Sequence, residues 1–210
     1  MNKNFDIKSY RSLGSLLIVS GASGAGKSTI CKPIMKKNNF EFSVSCTTRK
    51  PREGEIDGKD YYFIDKETFQ EKIRANAFLE HATVHGNYYG TLKSEVHSRV
   101  LNNKDILLDI DVQGAMQIKE YIKNDDILSK CTEFVFILPP SMDELECRLK
   151  NRGTETESSL KLRLGQAGKE IEKFLFYDYF IVNDDLEGAI NKMQNIVSSL
   201  HLKTKRLVEK

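Results

Sequence analysis

The strongest constraint on this chain is a short glycine-rich stretch that fits the pattern G-x-x-x-x-G-K-[ST]. It reads Gly21-Ala22-Ser23-Gly24-Ala25-Gly26-Lys27-Ser28, after the apolar run Leu16–Ser20 and before a helix predicted from Ser28. The glycines let successive backbone amides turn toward one anion. We therefore expect Lys27 to reach the β- and γ-phosphates of a nucleotide and the Ser28 hydroxyl to ligate Mg²⁺. The alternative is an ordinary turn between strand and helix.

The helix predicted after this loop contains a proline about a turn and a half from its start. Pro33 has no amide donor, so its hydrogen bond to the Thr29 carbonyl is lost. We expect a kink or a widened turn at this point and not an early end of the helix.

The composition is that of a soluble chain with one substantial core. Of its 210 residues, 30% are charged and 40% are hydrophobic, and a net charge of +2 gives no reason to expect a nucleic-acid partner. No apolar run is long enough to span a membrane, and residues 1–15 predict a loosely ordered leader that is not a secretory signal. The four cysteines lack zinc-binding spacing, which favours free thiols and a cytoplasmic protein.

Apolar strands alternate with helices through most of the chain. After the first strand come the apolar runs 106–111, 134–138 and 179–182, separated by helical segments. This order predicts an α/β fold with a parallel sheet and right-handed crossovers. The block 43–93 differs, because it has short strands and many turns, including a turn over residues 85–90. We interpret this block as an insertion.

Two carboxylates end the strand predicted over residues 106–111. Asp109 and Asp111 are two apart, so we expect their side chains to point the same way at the edge where such sheets place ligands. A carboxylate there is suited to hold a phosphate-bound Mg²⁺, directly or through water. The alternative for Asp109 is a helix cap or a surface carboxylate.

Two groups of arginines are candidates for binding further phosphate groups. Arg49 and Arg52 lie three apart near Tyr61, and together they can form a fork-like receptor for a phosphate dianion. Arg148 and Arg152 lie four apart on a helix that is predicted to start with a capping box at Ser141, and hence on one face. A solvated basic turn and a solvated helix face are the alternative interpretations.

Several motifs in register resemble those of the guanylate kinase family. They are Ser-x-Ser-x-Thr-Thr-Arg-x-x-Arg-x-Gly-Glu-x-x-Gly-x-x-Tyr-x-Phe from Ser43, Phe78-Leu79-Glu80, Gly86-Asn87-Tyr88-Tyr89-Gly90-Thr91, Leu108-Asp109-Ile110-Asp111-x-Gln113-Gly114 and Ile181-Val182-Asn183-Asp184-Asp185. The similarity runs from about residue 16 to residue 200. It implies a P-loop kinase fold, with a parallel β-sheet flanked by helices, an inserted small mixed GMP-binding subdomain and a helical lid.

The resemblance also implies how one domain over residues 16–210 is divided. Its core would comprise about residues 16–42, 94–140 and 166–210. The GMP-binding insertion would comprise about residues 43–93, and the lid about residues 141–165.

The activity implied by the resemblance is Mg²⁺-dependent phosphoryl transfer from ATP to GMP, giving ADP and GDP. The residues that would bind ATP are Gly21, Ala22, Ser23, Gly24, Ala25, Gly26, Lys27, Ser28, Thr29 and Asn183. Those that would bind GMP are Ser45, Arg49, Arg52, Tyr61, Glu80, Tyr89, Thr91 and Asp111. The residues that would stabilise the transfer are Lys27, Arg49, Arg148, Arg152 and Arg163. Ser28 and Asp109 would hold the metal.

Glu80 would carry the selectivity for the base. Guanine offers N1–H and a 2-amino group to one carboxylate, whereas adenine lacks that pair of donors. Two alternatives stay open: a kinase for another nucleoside monophosphate, and a non-catalytic module that binds peptides in the same cleft. The intact glycine loop and the short chain favour the enzyme. The expected partners are ATP and GMP, with no membrane or nucleic acid, and no oligomeric state is predicted.

Overall fold

The computed structural model describes residues 6–41, 43–84, 86–151 and 157–210. Its strands are β1 (Tyr10–Ser12), β2 (Leu16–Gly21), β3 (Ser45–Thr47), β4 (Tyr61–Phe63), β5 (Phe78–Val84), β6 (Asn87–Leu92), β7 (Ile106–Asp109), β8 (Thr132–Leu138), β9 (Tyr179–Val182) and β10 (Leu207–Glu209). Its helices are α1 (Lys27–Asn38), α2 (Lys66–Arg74), α3 (Lys93–Leu101), α4 (Val112–Tyr121), α5 (Leu128–Cys131), α6 (Met142–Lys150), α7 (Glu157–Ile171) and α8 (Leu186–Leu200). In the part of the chain described, no helix is both long and apolar enough to cross a membrane.

Parallel strands form the central sheet, in the order β7-β2-β8-β9. Strand β2 lies inside it, and all of its residues are buried, as expected of a strand covered on both faces. Val19 of β2 is level with Asp109 of β7, so the ends of these two strands meet where the glycine loop begins. The predicted α/β fold with a parallel sheet is confirmed.

Alternation of side chains along β2 builds two hydrophobic cores. Leu17 and Val19 pack with apolar residues of α1 and α8 on one face of the sheet. Leu16 and Ile18 pack with apolar residues of α3 and α4 on the other. Burying an aliphatic side chain of this size contributes about 1.5–3 kcal/mol. The strand that leads into the glycine loop is therefore held between two packed layers.

A second sheet is formed within the block 43–93, in the order β4-β3-β6-β5. Its core contains Phe69 of α2, whose ring stacks on those of Phe78 and Tyr88 with centroids 4.4 and 5.3 Å apart. The turn predicted over residues 85–90 is wrong from Asn87 onward, because β6 begins there. Pairing with β3 on one side and β5 on the other outweighs the local turn tendency of Asn and Gly.

The prediction of a loose leader over residues 1–15 is also wrong for its second half. Strand β1 pairs antiparallel with β10, with Tyr10 level with Glu209. Leu13 is fully buried, and its carbonyl accepts a hydrogen bond of 2.9 Å from Nε of the buried Arg206. Because each strand has only three residues, and Leu13 and Arg206 lie 193 positions apart, no local pattern indicates this pairing.

The first helix continues through its proline. Helix α1 passes Pro33 and ends only at Asn38, after which Asn39 adopts a left-handed φ of 54° and donates its amide to the Met35 carbonyl. Pro33 and Thr29 both lie on the exposed side of α1, where water can satisfy the carbonyl that lost its donor. The prediction that the helix does not end early is confirmed, and the kink stays a prediction.

Helices α6 and α7 pack on the glycine loop. Leu145 and Leu149 of α6 and Ala167 of α7 form an apolar cluster with the fully buried Ala22 of the loop. The predicted N-cap of α6 is confirmed, since Ser141 Oγ accepts a hydrogen bond of 3.1 Å from the Glu144 amide. The division of the chain into core, insertion and lid stays a prediction.

Candidate active site

The glycine loop joins β2 to α1, as its sequence predicts. Gly24 and Gly26 have φ values of 94° and 93°, which lie in the left-handed region that favours glycine. There is also no room for side chains: a Cβ at Gly24 would run into Leu145 and Leu149, and one at Gly26 would overlap the Asn183 amide. The loop can therefore keep this course only with glycine at both positions.

Two side chains of the loop are held at its ends. Lys27 Nζ donates a hydrogen bond of 2.6 Å to the Gly21 carbonyl, so the ammonium group lies across the loop. Ser28 Oγ donates a hydrogen bond of 2.7 Å to Asp109 Oδ2 at the end of β7. The predicted metal ligands Ser28 and Asp109 are thus in direct contact.

One cavity, of about 410 Å³, lies on the outer side of the loop. Gly24, Gly26 and Thr29 line it together with Arg148 and Asn183. Asn183 Nδ2 donates a hydrogen bond of 2.8 Å to the Ala25 carbonyl. Arg148 donates to the Asn183 carbonyl at 2.9 Å and to Glu144 at 2.8 Å. The structure therefore brings Arg148, Thr29 and Asn183 to the glycine loop, as the resemblance implies.

Of the two other predicted lid arginines, Arg163 lies within the described residues. Arg163 lies half-buried on α7, the helix whose Ala167 packs against Ala22. Arg152 lies outside the described residues. The roles of both arginines stay predictions.

A second cavity, of about 460 Å³, lies between the inserted sheet and the central sheet. Six of the residues predicted to bind GMP line it: Ser45, Tyr61, Glu80, Tyr89, Thr91 and Asp111. Asp109 lines it as well, and the carboxylate of Asp109 contacts Ser28 of the glycine loop. The two candidate nucleotide sites therefore adjoin each other at Asp109.

A buried carboxylate lies among hydroxyl groups in this second cavity. Glu80 Oε1 accepts hydrogen bonds from the Thr91 amide at 3.1 Å and from Thr91 Oγ1 at 2.7 Å. Ser45 Oγ lies 3.4 Å from Thr91 Oγ1. Burial raises the pKa of Glu80, and the hydrogen bonds from Thr91 oppose that rise. Such a group can accept hydrogen bonds from a planar ligand that carries adjacent donors.

Asp111, another carboxylate of the cavity, does not lie on a strand. Strand β7 ends at Asp109, and Asp111 is instead the N-cap of α4, with Oδ1 accepting a hydrogen bond of 2.7 Å from the Gly114 amide. The predicted strand over residues 106–111 is therefore too long by two residues. Asp109 and Asp111 both line this cavity, and the expectation that their side chains point the same way stays a prediction.

Arg49 is anchored by an acidic partner that sequence reasoning missed. Its guanidinium group forms a two-pronged ion pair with Glu55, with N–O distances of 2.8 and 2.9 Å. It also lies 5.5 Å from the Tyr61 ring centroid and 5.8 Å from that of Phe63. Hydrogen bonding to Glu55, and less strongly to Tyr89, raises the pKa of Arg49. Arg49 and the two cavity tyrosines thus form one group.

Arg52 is placed less firmly. Its backbone amide donates a hydrogen bond of 2.7 Å to Glu55, while the residue itself is exposed on the same loop. Glu55 thus orders the loop that carries both arginines. The position of Glu55 inside the arginine-glycine motif was the available signal for this role.

Glu170 of α7 is a second residue that the sequence did not reveal. The pKa of this half-buried carboxyl is raised by burial, and Lys27 and the Ser23 amide act in the opposite direction. Its neighbour on the same helix, Ala167, packs on Ala22, which explains why the carboxyl faces the loop. No spacing rule connects residue 170 to the loop, because only the packing of α7 brings it there.

Cys46 lies beside the candidate GMP residues on β3 but does not offer a reactive thiolate. It is 1% exposed, and burial raises its pKa to about 11. The thiol is therefore protonated at neutral pH and packs with Phe69 and Phe78.

A glycine loop of this pattern at the end of a buried parallel strand, with a second cavity next to it, is the arrangement of a P-loop kinase. The model of the guanylate kinase family matches residues 14–200 of the chain. The chain belongs to this family.

Similar proteins agree with that assignment along nearly the whole chain. A guanylate kinase of Clostridium tetani is 51% identical over 194 residues, which cover 92% of this chain and 90% of that protein. One from Clostridioides difficile is 46% identical, with coverages of 92% and 91%. The crystal structure of guanylate kinase from Anaplasma phagocytophilum superposes with a TM-score of 0.69 at 35% identity, and covers 95% of this chain and 92% of that one.

Proposed function

We propose that this chain transfers a phosphoryl group from ATP to GMP, giving ADP and GDP. The observation that carries the proposal is the cavity of about 460 Å³ between the two sheets. One wall has a buried carboxylate and two hydroxyls suited to guanine, and another contains Asp109, which contacts the glycine loop. A nucleotide bound there would have its phosphate directed toward the loop that binds ATP.

On the ATP side, the protein supplies positive charge and orientation. Lys27 and the amides of the glycine loop bind the β- and γ-phosphates, in the manner of other loops of this pattern. Arg148 lines the neighbouring cavity and adds a guanidinium group close to Thr29 and Asn183. In phosphoryl transfer, the main catalytic contributions are positioning and charge stabilisation.

On the GMP side, Arg49 and two phenols bind the phosphate that accepts the transferred group. Tyr61 and Tyr89 lie with ring centroids 6.0 Å apart, and Arg49 lies against the Tyr61 ring. A phosphate monoester is largely a dianion near neutral pH, so its attacking oxygen needs no general base. Arg49 exchanges part of its ion pair with Glu55 for this phosphate.

The residues near the loop also fit Mg²⁺. Mg²⁺ prefers oxygen ligands, and it usually binds through one or two carboxylates together with substrate phosphates. Ser28 Oγ and Asp109 Oδ2 are 2.7 Å apart at the end of β7 and provide such oxygens. When bound, the ion neutralises phosphate charge. Ser28 and Asp109 are the residues that would hold it.

A cytoplasmic location of the protein stays a prediction.

The proposal is tested by a coupled assay of the purified chain with ATP, Mg²⁺ and one monophosphate at a time. We expect turnover with GMP and at most slow turnover with AMP or dTMP, because only guanine provides two adjacent donors for Glu80. Comparable rates with GMP and AMP would support a less selective monophosphate kinase. Binding of GMP without any turnover would support a non-catalytic module and contradict the proposal.

A further inference from the structure

Two carboxylates in the part of the GMP cavity proposed to hold the guanine base, Glu80 and Asp111, belong to separate parts of the fold. Glu80 lies on β5 of the inserted sheet, whereas Asp111 caps α4 on the central sheet. They approach each other at Gly114: a Cβ built there would lie 3.0 Å from Glu80 Oε2 and 3.4 Å from Asp111 Oδ1. The separation of the two carboxylates therefore depends on how closely β5 lies against α4.

A single side chain ties β5 to α4 at this point. Gln117 lies one turn after Gly114 on α4, and its amide group bonds to both backbone groups of His81. The His81 amide donates to Gln117 Oε1 at 3.0 Å, and Gln117 Nε2 donates to the His81 carbonyl at 3.0 Å. His81 directly follows Glu80, and β5 is the edge strand of its sheet. Gln117 thus supplies the two backbone hydrogen bonds that a neighbouring strand would otherwise form with His81.

We propose that Gln117 is a positioning residue that holds Glu80 at its distance from Asp111 and thereby sets selectivity for the 2-amino group of guanine. This proposal rests on the proposed GMP site. Apolar packing of Leu79 with Ala115 and Ile118 brings the same elements together, but it does not fix their position along the strand. Two directional hydrogen bonds to one residue do fix that position.

Comparison of GMP with IMP isolates this effect. Hypoxanthine shares N1–H and the 6-oxo group with guanine but lacks the 2-amino group. A small displacement of Glu80 weakens the binding of GMP, which needs two aligned hydrogen bonds, more than the binding of IMP, which needs one. The phosphate is held elsewhere, by Arg49 and the tyrosines, so kcat at saturating GMP depends little on Gln117.

The experiment uses Gln117→Met, which keeps the length of the side chain and removes both hydrogen bonds. The chain offers a matched control in Gln194 of α8. Gln194 forms a similar pair of bonds with Asn38, at 2.9 and 3.0 Å, and neither residue lines the GMP cavity. Gln194→Met removes an equivalent pair of hydrogen bonds that does not involve β5. Gln117→Asn, whose amide is too short to reach both groups of His81, is a second variant.

We expect both Gln117 variants to lower the ratio of kcat/KM for GMP over IMP about fivefold, through KM. Gln194→Met keeps the wild-type ratio. ADP affinity, which depends on the glycine loop, confirms that each variant is folded. A ratio that stays at the wild-type value in both Gln117 variants, or falls equally in Gln194→Met, overturns the proposal.

Calorimetric binding of GMP and IMP gives the same ratio without turnover. If wild-type protein binds GMP in preference to IMP but does not phosphorylate it, the proposed function fails and the role of Gln117 is still decided by the variants. If wild-type protein shows no preference for GMP over IMP, the proposed role of Gln117 in selectivity is wrong.

Discussion

The two proposed nucleotide sites of this chain are built in opposite ways. The ATP side is built around one continuous loop of eight residues, Gly21 to Ser28, whose course follows from glycine conformation and from the strand before it, and Arg148 and Asn183 join it from distant positions. The GMP side takes residues from positions 45 to 111, contributed by β3, β4, β5, β6 and the start of α4. A continuous loop makes its own geometry, whereas a dispersed site depends on how separate elements pack.

The two sites also differ in their electrostatics. The loop presents amides and an ammonium group, which suit any polyphosphate. The GMP cavity has a buried acid, Glu80, whose pKa is raised by burial. We therefore expect the loop to bind phosphate groups of any nucleotide, and the GMP cavity to determine which base is accepted. Substitutions on the two sides are expected to change different kinetic quantities.

The largest expected effect is on the ATP side. Lys27→Ala removes the ammonium group that stabilises charge on the phosphates being transferred, and kcat is expected to fall by about 10³-fold or more. KM for GMP changes by less than about threefold, because the GMP cavity is intact. Steady-state kinetics measure both values. Lys32→Ala, on the exposed side of α1, is the control and keeps the wild-type rate.

The opposite result would break the comparison between the sites. If Lys27→Ala strongly raised KM for GMP and left kcat unchanged, the lysine would belong to the GMP side.

The next effect is on base recognition. Glu80→Gln replaces an acceptor of two hydrogen bonds with an amide whose NH₂ group opposes the donors of guanine. The preference for GMP over AMP is expected to fall about 10²-fold, because an unmatched polar group is left in a buried site. Competition assays with both monophosphates measure it. Glu71→Gln, the same change at an exposed position of α2, leaves the preference unchanged.

A smaller effect is expected at the phosphate end of the GMP site. Arg49→Lys keeps the charge but loses the planar fork that now pairs with Glu55 at 2.8 and 2.9 Å. KM for GMP is expected to rise about tenfold with a smaller change in kcat. Arg74→Lys on the exposed side of α2 is the control. A lower melting temperature without a change in KM would mean that Arg49 only stabilises its loop.

The contrast between continuous and dispersed sites also explains what the sequence could predict. The spacing of Gly21, Gly26 and Lys27 predicts the loop, since each residue acts on its immediate neighbours. The central sheet follows from apolar runs such as 134–138, because strands buried on both faces show little polar alternation. These features are local, and the structure confirms the predicted sheet.

The features that sequence reasoning missed involve distant partners. Strand β6 contains Asn87 and Gly90, which locally favour a turn, and it becomes a strand only because β3 and β5 pair with it. The pairing of β1 with β10 joins both ends of the described chain. Asp111 was assigned to a strand because helix caps and strand ends share the same residue types. The hydrogen bonds between Gln117 and His81 could not be predicted either, because nothing in the sequence around residue 117 indicates which distant residue its amide group contacts.

The smallest expected effect concerns the stability of the GMP cavity as a function of pH. Because burial raises the pKa of Glu80 in the folded protein, the folded state binds this proton more tightly than the unfolded state. The free energy of unfolding therefore falls as pH rises from the ordinary carboxyl pKa through the raised one, and stays lower above it. Glu80→Gln lacks this titration. We expect it to be more stable than wild type at pH 7 by about 1 kcal/mol, and the difference to shrink on acidification.

Thermal unfolding of both proteins over a series of pH values measures the difference, with Glu71→Gln, the same change at an exposed position of α2, as the control. Bound GMP favours the ionised form of Glu80, because guanine donates hydrogen bonds to the carboxylate. The affinity for GMP is therefore expected to weaken as pH falls through the pKa of Glu80. If Glu80→Gln were less stable than wild type at pH 7, the hydrogen bonds from Thr91 would outweigh burial. The acid would then stabilise the cavity, and the contrast between a general phosphate site and a base site that lowers stability would be lost.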